Sequence, residues 1–392
     1  MTIKKEIELL IPEMEQWRHH IHQHPEIAFE EKETSDFIAK KLESFGIEVH
    51  RGLGGTGLVG VIHGKDKGAS NKSVGIRADI DALPMTEKTN LPYSSRNEGR
   101  MHACGHDGHT TMLLGAAHYL AKTRNFYGTV YCIFQPAEEG GNAGAKAMIE
   151  DGLFKKFKID SVWGIHNWPG LPVGHLVSHK GLVQAGGDIF ILTITGRGGY
   201  AAQPHHHNHD PMVAAGLVIT SLQTIISRQL DPFDHTVISL TKIEGGSAFN
   251  VIPDVITIGG TCRTTNNETR DRMLKQIKKV ASDAAAIHDC TVEMEIRPGY
   301  PPTVNNPEKA EVASNVFEST FGKEKILTDQ TPSMGSEDFS YMLQERPGAY
   351  IWLGNGEDSE NLHSVHYNFN DKLLPIGAHY WATLSETLLA NN

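Results

Sequence analysis

The stretch MHACGHDGH, Met101 to His109, sets the hardest constraint on how this 392-residue chain folds. It places Cys104 and His106 two positions apart, framed by glycines and further histidines, and a thiolate beside an imidazole suits a divalent metal. Two donors do not complete a coordination sphere, so distant segments must bring others to the same place. Downstream, FQPAEEGG sets Glu138 beside Glu139 after an apolar run that reads as a strand. Successive strand side chains point to opposite faces, so both carboxylates reach one site only if the backbone leaves extended geometry. Pro136 and Gly140-Gly141 encourage that. One carboxylate then suits a metal and the other proton transfer. GIHNWP adds His166 after the apolar SVWGI run, and LHSVHYNFND adds His363 and His366 ahead of a C-terminal helix. Taken singly, a buried Cys is usually a core hydrophobe and a Glu-Glu pair a solvated surface. One Cys, one Glu and three His from separated segments, each near a strand end, read instead as a site assembled by folding.

Patterning gives the organisation. From residue 1 to about 180, apolar strands alternate with helical segments: KSVGIRAD, GHTTMLLGAAHYLAKT, GTVYCIFQ, AGAKAMIEDGLF and SVWGIH. This predicts an α/β domain with a helix-flanked, mostly parallel sheet whose strand ends carry the motifs. Over 181–297 the order becomes strand, helix, strand, strand, helix, strand, the split βαβ pattern of a ferredoxin-like α+β unit inserted into the first domain. RPGYPPTV marks the return, and residues 298–392 resume the first domain.

The formal net charge of −11, with no Lys/Arg block, argues against a nucleic-acid partner. The N-terminus has no apolar run of signal-peptide length, and nothing later reaches about 18 uninterrupted apolar residues, so no membrane association is expected and a cytoplasmic location is. Four cysteines, none in a CxxC pair, form no disulfide framework, and Cys132 in VYCIF reads as core.

The segments RADIDALP, HACGHDGH, FQPAEEG, GIHNWP, GRGGYAAQPH, FNVIPD, GTCR, GSEDF and LHSVHYNFND, in this order, resemble the M20 metallopeptidase superfamily. In detail they are similar to its amidohydrolase branch of hippurate hydrolases, N-acyl-amino-acid deacylases and indoleacetyl-amino-acid hydrolases. The resemblance implies a zinc-exopeptidase-type catalytic domain, two divalent ions per subunit (manganese or zinc, with cobalt or nickel as further candidates), and hydrolysis of a small N-acyl amino acid. It makes Cys104, His106, Glu139, His166 and His363 the ligands, with Cys104 bridging, Glu138 the general base, and Asp81 the acid that orients a ligand imidazole. His102, Asp107, His109 and His366 are read as supporting residues or helix-start caps. The resemblance also implies a homodimer through the inserted unit, with Asn250 and Arg263 taking the substrate carboxylate. Alone, these two would read as a turn residue and a strand-end solubiliser.

One position departs from the family pattern. Tyr200 in GRGGYAAQPH stands where the family has an oxyanion-stabilising His; tyrosine donates one hydrogen bond but stays neutral, and His205 is the nearby substitute. Other readings are a dipeptidase or carboxypeptidase, a thiol hydrolase with Cys104 as nucleophile, and a catalytically weakened metal-binding homologue.

Overall fold

The computed structural model describes residues 2–65, 70–203 and 207–391. The chain divides into two compact units, one of Met1–Val183, Val304–Thr331 and Asp338–Asn392, the other of Gln184–Thr303 and Pro332–Glu337. Both junctions fall a few residues later than the patterning places them, and Pro332–Glu337, within the segment assigned to the first domain, groups with the second unit.

The first unit opens with helices α1 (Ile3–Gln23) and α2 (Lys32–Ser44), then strands β1 (Glu48–Leu53), β2 (Gly57–His63) and β3 (Ser73–Asp79), helix α3 (His106–Thr123), strand β4 (Thr129–Gln135), helix α4 (Gly144–Glu150), a short helix α5 (Leu153–Lys156) and strand β5 (Val162–Pro169). The helical stretch expected over AGAKAMIEDGLF is two helices, because Gly152 between them sits at φ 94°. An eight-stranded sheet runs β1, β2, β4, β3, β5, Gly348–Gly356, Leu176–Val177, Ile326–Leu327. Its four central strands, β4 through Gly348–Gly356, are parallel, β1 and β2 pair antiparallel on one side, and on the other Leu176–Val177 runs antiparallel to Gly348–Gly356 and parallel to Ile326–Leu327.

Alternate residues of these strands enter two different cores. Ala349, Ile351 and Leu353 pack with α1, α3 and the C-terminal helix Leu373–Leu388, whereas Tyr350 and Trp352 pack on the other face with Met148 and Phe339. Burial on both faces explains why the strands read as continuous apolar runs. Helix α3 is buried on nearly every side: its first turns carry the buried polar residues His106, Asp107, His109, Thr110 and Thr111, and apolar residues follow from Met112. Cys132 is fully buried in the same core.

The second unit holds a four-stranded antiparallel sheet ordered Thr236–Glu244, Val255–Thr264, Gly186–Thr195, Thr291–Pro298. With the helices Pro211–Arg228 and Asn267–Ala286 this is the ferredoxin-like arrangement the strand and helix order predicts. Pro211–Arg228 is apolar and long enough to match a membrane span by composition. Its buried residues Ala214, Ala215, Val218, Leu222 and Ile225 recur at helical spacing and form one face of this unit's core.

Candidate metal centre

The C-terminal ends of the parallel strands set the site. Asp79 ends β3 in register with Gln135 at the end of β4, and His166 lies near the end of β5, where α/β sheets gather ligands. Cys104 and His106 flank Gly105 at the start of α3. Gly105 has φ 90°, and a Cβ there would fall 2.1 Å from Asn167 Oδ1, so only glycine permits this approach. After β4 the backbone abandons extended geometry: Ala137 has φ 52°, Glu138 is helical, Glu139–Gly141 is a 3₁₀ turn, and Gly140 has φ 73°. Glu138 and Glu139 can therefore address one place. His363, at φ 64°, is held by its N–H donating to the Ala103 carbonyl at 2.8 Å.

Two donor groups form around one sulfur. The ligand atoms of Cys104, His106 and His166 lie within 4.8 Å of one another, and so do those of Cys104, Glu139 and His363. Cys104 Sγ is 3.3 Å from His166 Nε2, and His363 Nε2 is 3.2 Å from Glu139 Oε1. His106, Glu138 and Glu139 meet the same 4.8 Å limit, so Glu138 stands beside both groups.

Neighbouring acceptors fix the imidazoles. His106 Nδ1 faces the Asp81 carbonyl at 2.8 Å and Asp81 Oδ1 at 3.3 Å, and His166 Nδ1 faces the Asn167 carbonyl at 2.6 Å. Each Nδ1 donates to a carbonyl oxygen, which leaves Nε2 as the ring nitrogen that would face a cation. Asp81 Oδ2 also accepts from the Glu139 N–H at 2.9 Å. His109 falls in a third group with Asp79 and His106, but its nitrogens are engaged: Nδ1 is 2.6 Å from Asp79 Oδ1, and Nε2 is 3.1 Å from the Asn167 N–H nitrogen. Asp79 Oδ2 receives Arg77 Nη1 at 2.7 Å, and Arg77 Nη2 reaches Asp338 at 3.0 Å. This buried pairing lies behind the donors and fixes the ends of β3 and β4.

The electrostatics favour a cation. Burial and the adjacent Glu139 and Glu138 push the Cys104 thiol well above its ordinary range. Burial pulls His166 well down. Burial opposes protonation of His106, yet Asp79 and Asp81 lift it to about 10. Burial raises Glu139, but His363 and His106 outweigh it and lower its carboxyl. A thiol pushed well above its ordinary range is not the thiolate that a thiol hydrolase needs. His106 Nε2 is buried with no hydrogen-bond partner. The thiolate, imidazole and carboxylate donor set fits a divalent ion, which also deprotonates a coordinating thiol.

None of His102, Asp107 and His109 caps α3: its N-cap is Gly105, with no side-chain bond. Asp107 instead pairs with His22 at 2.8 Å and Arg18 at 3.4 Å, and His102 is buried with both ring nitrogens lacking hydrogen-bond partners. His366 is exposed, and its Nδ1 donates to the Lys88 carbonyl at 3.1 Å. In the second unit, Tyr200 is 55% exposed and pairs with Val251, next to exposed Asn250, whose carbonyl accepts from Ala201 N–H at 3.0 Å. Arg263, in a separate strand, bonds Ser336 Oγ at 2.8 Å. His205 lies outside the described residues. Sequence reading passed over Arg77, Asp79, Asn167 and Glu31. The first two carried a signal, since charges inside a strand buried on both faces must be paired.

The profile described as Peptidase family M20/M25/M40 matches residues 75–387. A hippurate hydrolase from Campylobacter jejuni is 44% identical, the match covering 98% of this chain and 99% of that protein. An N-acetyl-L-cysteine deacetylase from Bacillus subtilis is 39% identical over 88% of this chain and 80% of its own. Among solved structures, a chain from methicillin-resistant Staphylococcus aureus superposes with TM-score 0.92 at 34% identity, covering 99% of both chains. A dinuclear metal-binding M20 peptidase from Bacillus subtilis superposes with TM-score 0.84 at 33% identity, covering 97% of this chain and 99% of that one. With its donors gathered at the strand ends, this chain belongs to peptidase family M20/M25/M40 and is a metal-dependent hydrolase of amide bonds.

Proposed function

We propose that the protein cleaves the amide of N-acyl amino acids, releasing a carboxylic acid and a free amino acid. The observation that carries this reading is the pair of donor groups sharing Cys104, with Glu138 beside them. The first group, Cys104, His106 and His166, and the second, Cys104, Glu139 and His363, would each hold one divalent ion, manganese or zinc being first candidates and cobalt and nickel the others. Bound there, the ions supply Lewis acidity, acidifying water and polarising the scissile carbonyl.

Glu138, buried and close to both groups, accepts the proton of the attacking water and returns it to the leaving amine. Asp81 keeps His106 in one tautomer and anchors the Glu139 backbone. Arg263 offers a planar fork and Asn250 an amide, groups suited to the free carboxylate of the amino-acid half. Tyr200 donates where family members place histidine, a neutral donor in place of one able to carry charge. We place the protein in the cytoplasm as a homodimer formed through the second unit.

A second reading has its own support: a Thermostable carboxypeptidase 1 from Saccharolobus solfataricus is 36% identical over 100% of this chain and 98% of its own. A panel of acetyl, benzoyl, indoleacetyl and long-chain acyl amino acids plus dipeptides, assayed with added manganese, zinc, cobalt and nickel, separates the two. Preferential turnover of acyl amino acids supports the proposal, and preferential turnover of dipeptides replaces it.

A further inference from the structure

The turn that carries Glu138 is held from an unexpected direction. Glu31, at the N-terminal edge of α2, has its side chain completely buried. Its Oε1 accepts from the Ala137 N–H at 2.9 Å and its Oε2 from the Thr56 hydroxyl at 2.6 Å. Ala137 is the left-handed residue just before Glu138, with φ 52°, a conformation that costs energy for any residue with a Cβ. Its carbonyl is fixed by the Gly144 N–H at 3.0 Å, and a Cβ at Gly144 would fall 1.7 Å from the Pro136 carbonyl oxygen. Two positions on, Asp81 holds the Glu139 N–H at 2.9 Å. Carboxylates from two remote segments thus pin the backbone on either side of Glu138.

We infer that Glu31 is a positioning residue, which, with Thr56, holds the strained Ala137 peptide so that Glu138 points at the donor cluster. The inference rests on the reading of Glu138 as general base. Glu31 meets neither substrate nor ion in this role; it acts only through the Ala137 amide. Burial lifts its carboxyl to about 7, with Thr56 pulling against that rise. Protonated or ionised, it keeps an oxygen that can accept from Ala137, and a glutamine amide does the same at equal length.

The test compares Glu31→Met, which removes both acceptors at similar length, with Glu31→Gln in the full metal-loaded chain. Three quantities are read: amide exchange across residues 137–141, metal per chain, and kcat separately from KM on hippurate or the best panel substrate. In Glu31→Met, exchange at Ala137–Glu139 accelerates and kcat falls about 10- to 100-fold, the scale of a small misplacement, with KM and metal content held. Glu31→Gln restores both exchange and kcat. A merely structural role for Glu31 would lower melting temperature without changing kcat per metal-loaded molecule, and that result overturns the inference. Equal damage from Gln and Met overturns it too. Should Glu31→Met fail to fold, Thr56→Val decides: faster exchange at Ala137 supports the brace, and unchanged exchange rejects it. Failure of the general-base reading is seen separately, as turnover retained in Glu138→Gln, while the exchange readout still reports on the brace.

Discussion

The strand ends of the first unit and the Tyr200–Asn250 pairing of the second present polar side chains in opposite settings. Cys104, His106, Glu138, Glu139 and His166 are buried together, whereas Tyr200 and Asn250 stand in solvent. Burying a polar or charged group without a partner costs several kcal/mol. A buried set of thiol, imidazole and carboxylate donors is therefore the kind of cluster that a divalent cation suits. Exposed groups incur no such cost, and their positions alone carry little chemical information.

Cation removal should separate the two regions most. Dialysis against a chelator is expected to abolish hydrolysis and to lower the melting temperature, since a ligand bound only by the native state stabilises it. Added manganese or zinc should restore both. Next in size, Glu138→Gln should cut kcat by about 10²- to 10⁴-fold with metal content unchanged, as proton transfer alone is lost. Glu139→Gln should instead lower metal content; identical metal content in the two variants would end the division of labour between them.

Arg263→Ala should raise KM by about 10- to 100-fold, the worth of a charged hydrogen bond, without changing metal content. An unchanged KM would leave the second unit without a part in substrate binding. A smaller effect belongs to the buried charges behind α3. Burial pulls His22 down, but its bonds to Asp107 and Glu87 raise it to about 8 from 6.5. The stabilisation is thus fully present below 6.5 and is lost as pH rises through about 8, an effect of about 2 kcal/mol. Denaturant unfolding at about pH 6 and about pH 9 should show this loss in the wild type and not in His22→Gln. Smallest of all, Tyr200→His should preserve or raise kcat. A loss beyond about tenfold, some 1.4 kcal/mol, would mean that the neutral tyrosine is required.

Much of this was legible in the sequence, for reasons that also explain what was not. Strands such as Ser73–Asp79 and Thr129–Gln135 betray themselves by apolar runs, and Gly186–Thr195 and Thr291–Pro298 by their places around two amphipathic helices. The donors are residue types with few other uses when clustered, so Cys104, Glu139 and His166 stood out. Glu31 did not: within PEIAFEEKET it reads as one more solvated charge, and its partner Ala137 lies 106 positions away. Its contact is to a backbone amide, which leaves no mark in the residue alphabet. Of the two readings of Asp107, supporting residue or helix cap, the cap does not apply, because Gly105, in left-handed geometry, begins α3 without a side-chain cap and Asp107 pairs with His22 and Arg18.

The central claim, that one sulfur serves two cations, is tested most directly by anomalous diffraction from manganese- or zinc-loaded crystals. Two peaks should appear, both adjacent to Cys104 Sγ, one beside His106 and His166 and the other beside Glu139 and His363. A single peak, or two peaks with Cys104 coordinating neither, would contradict the account.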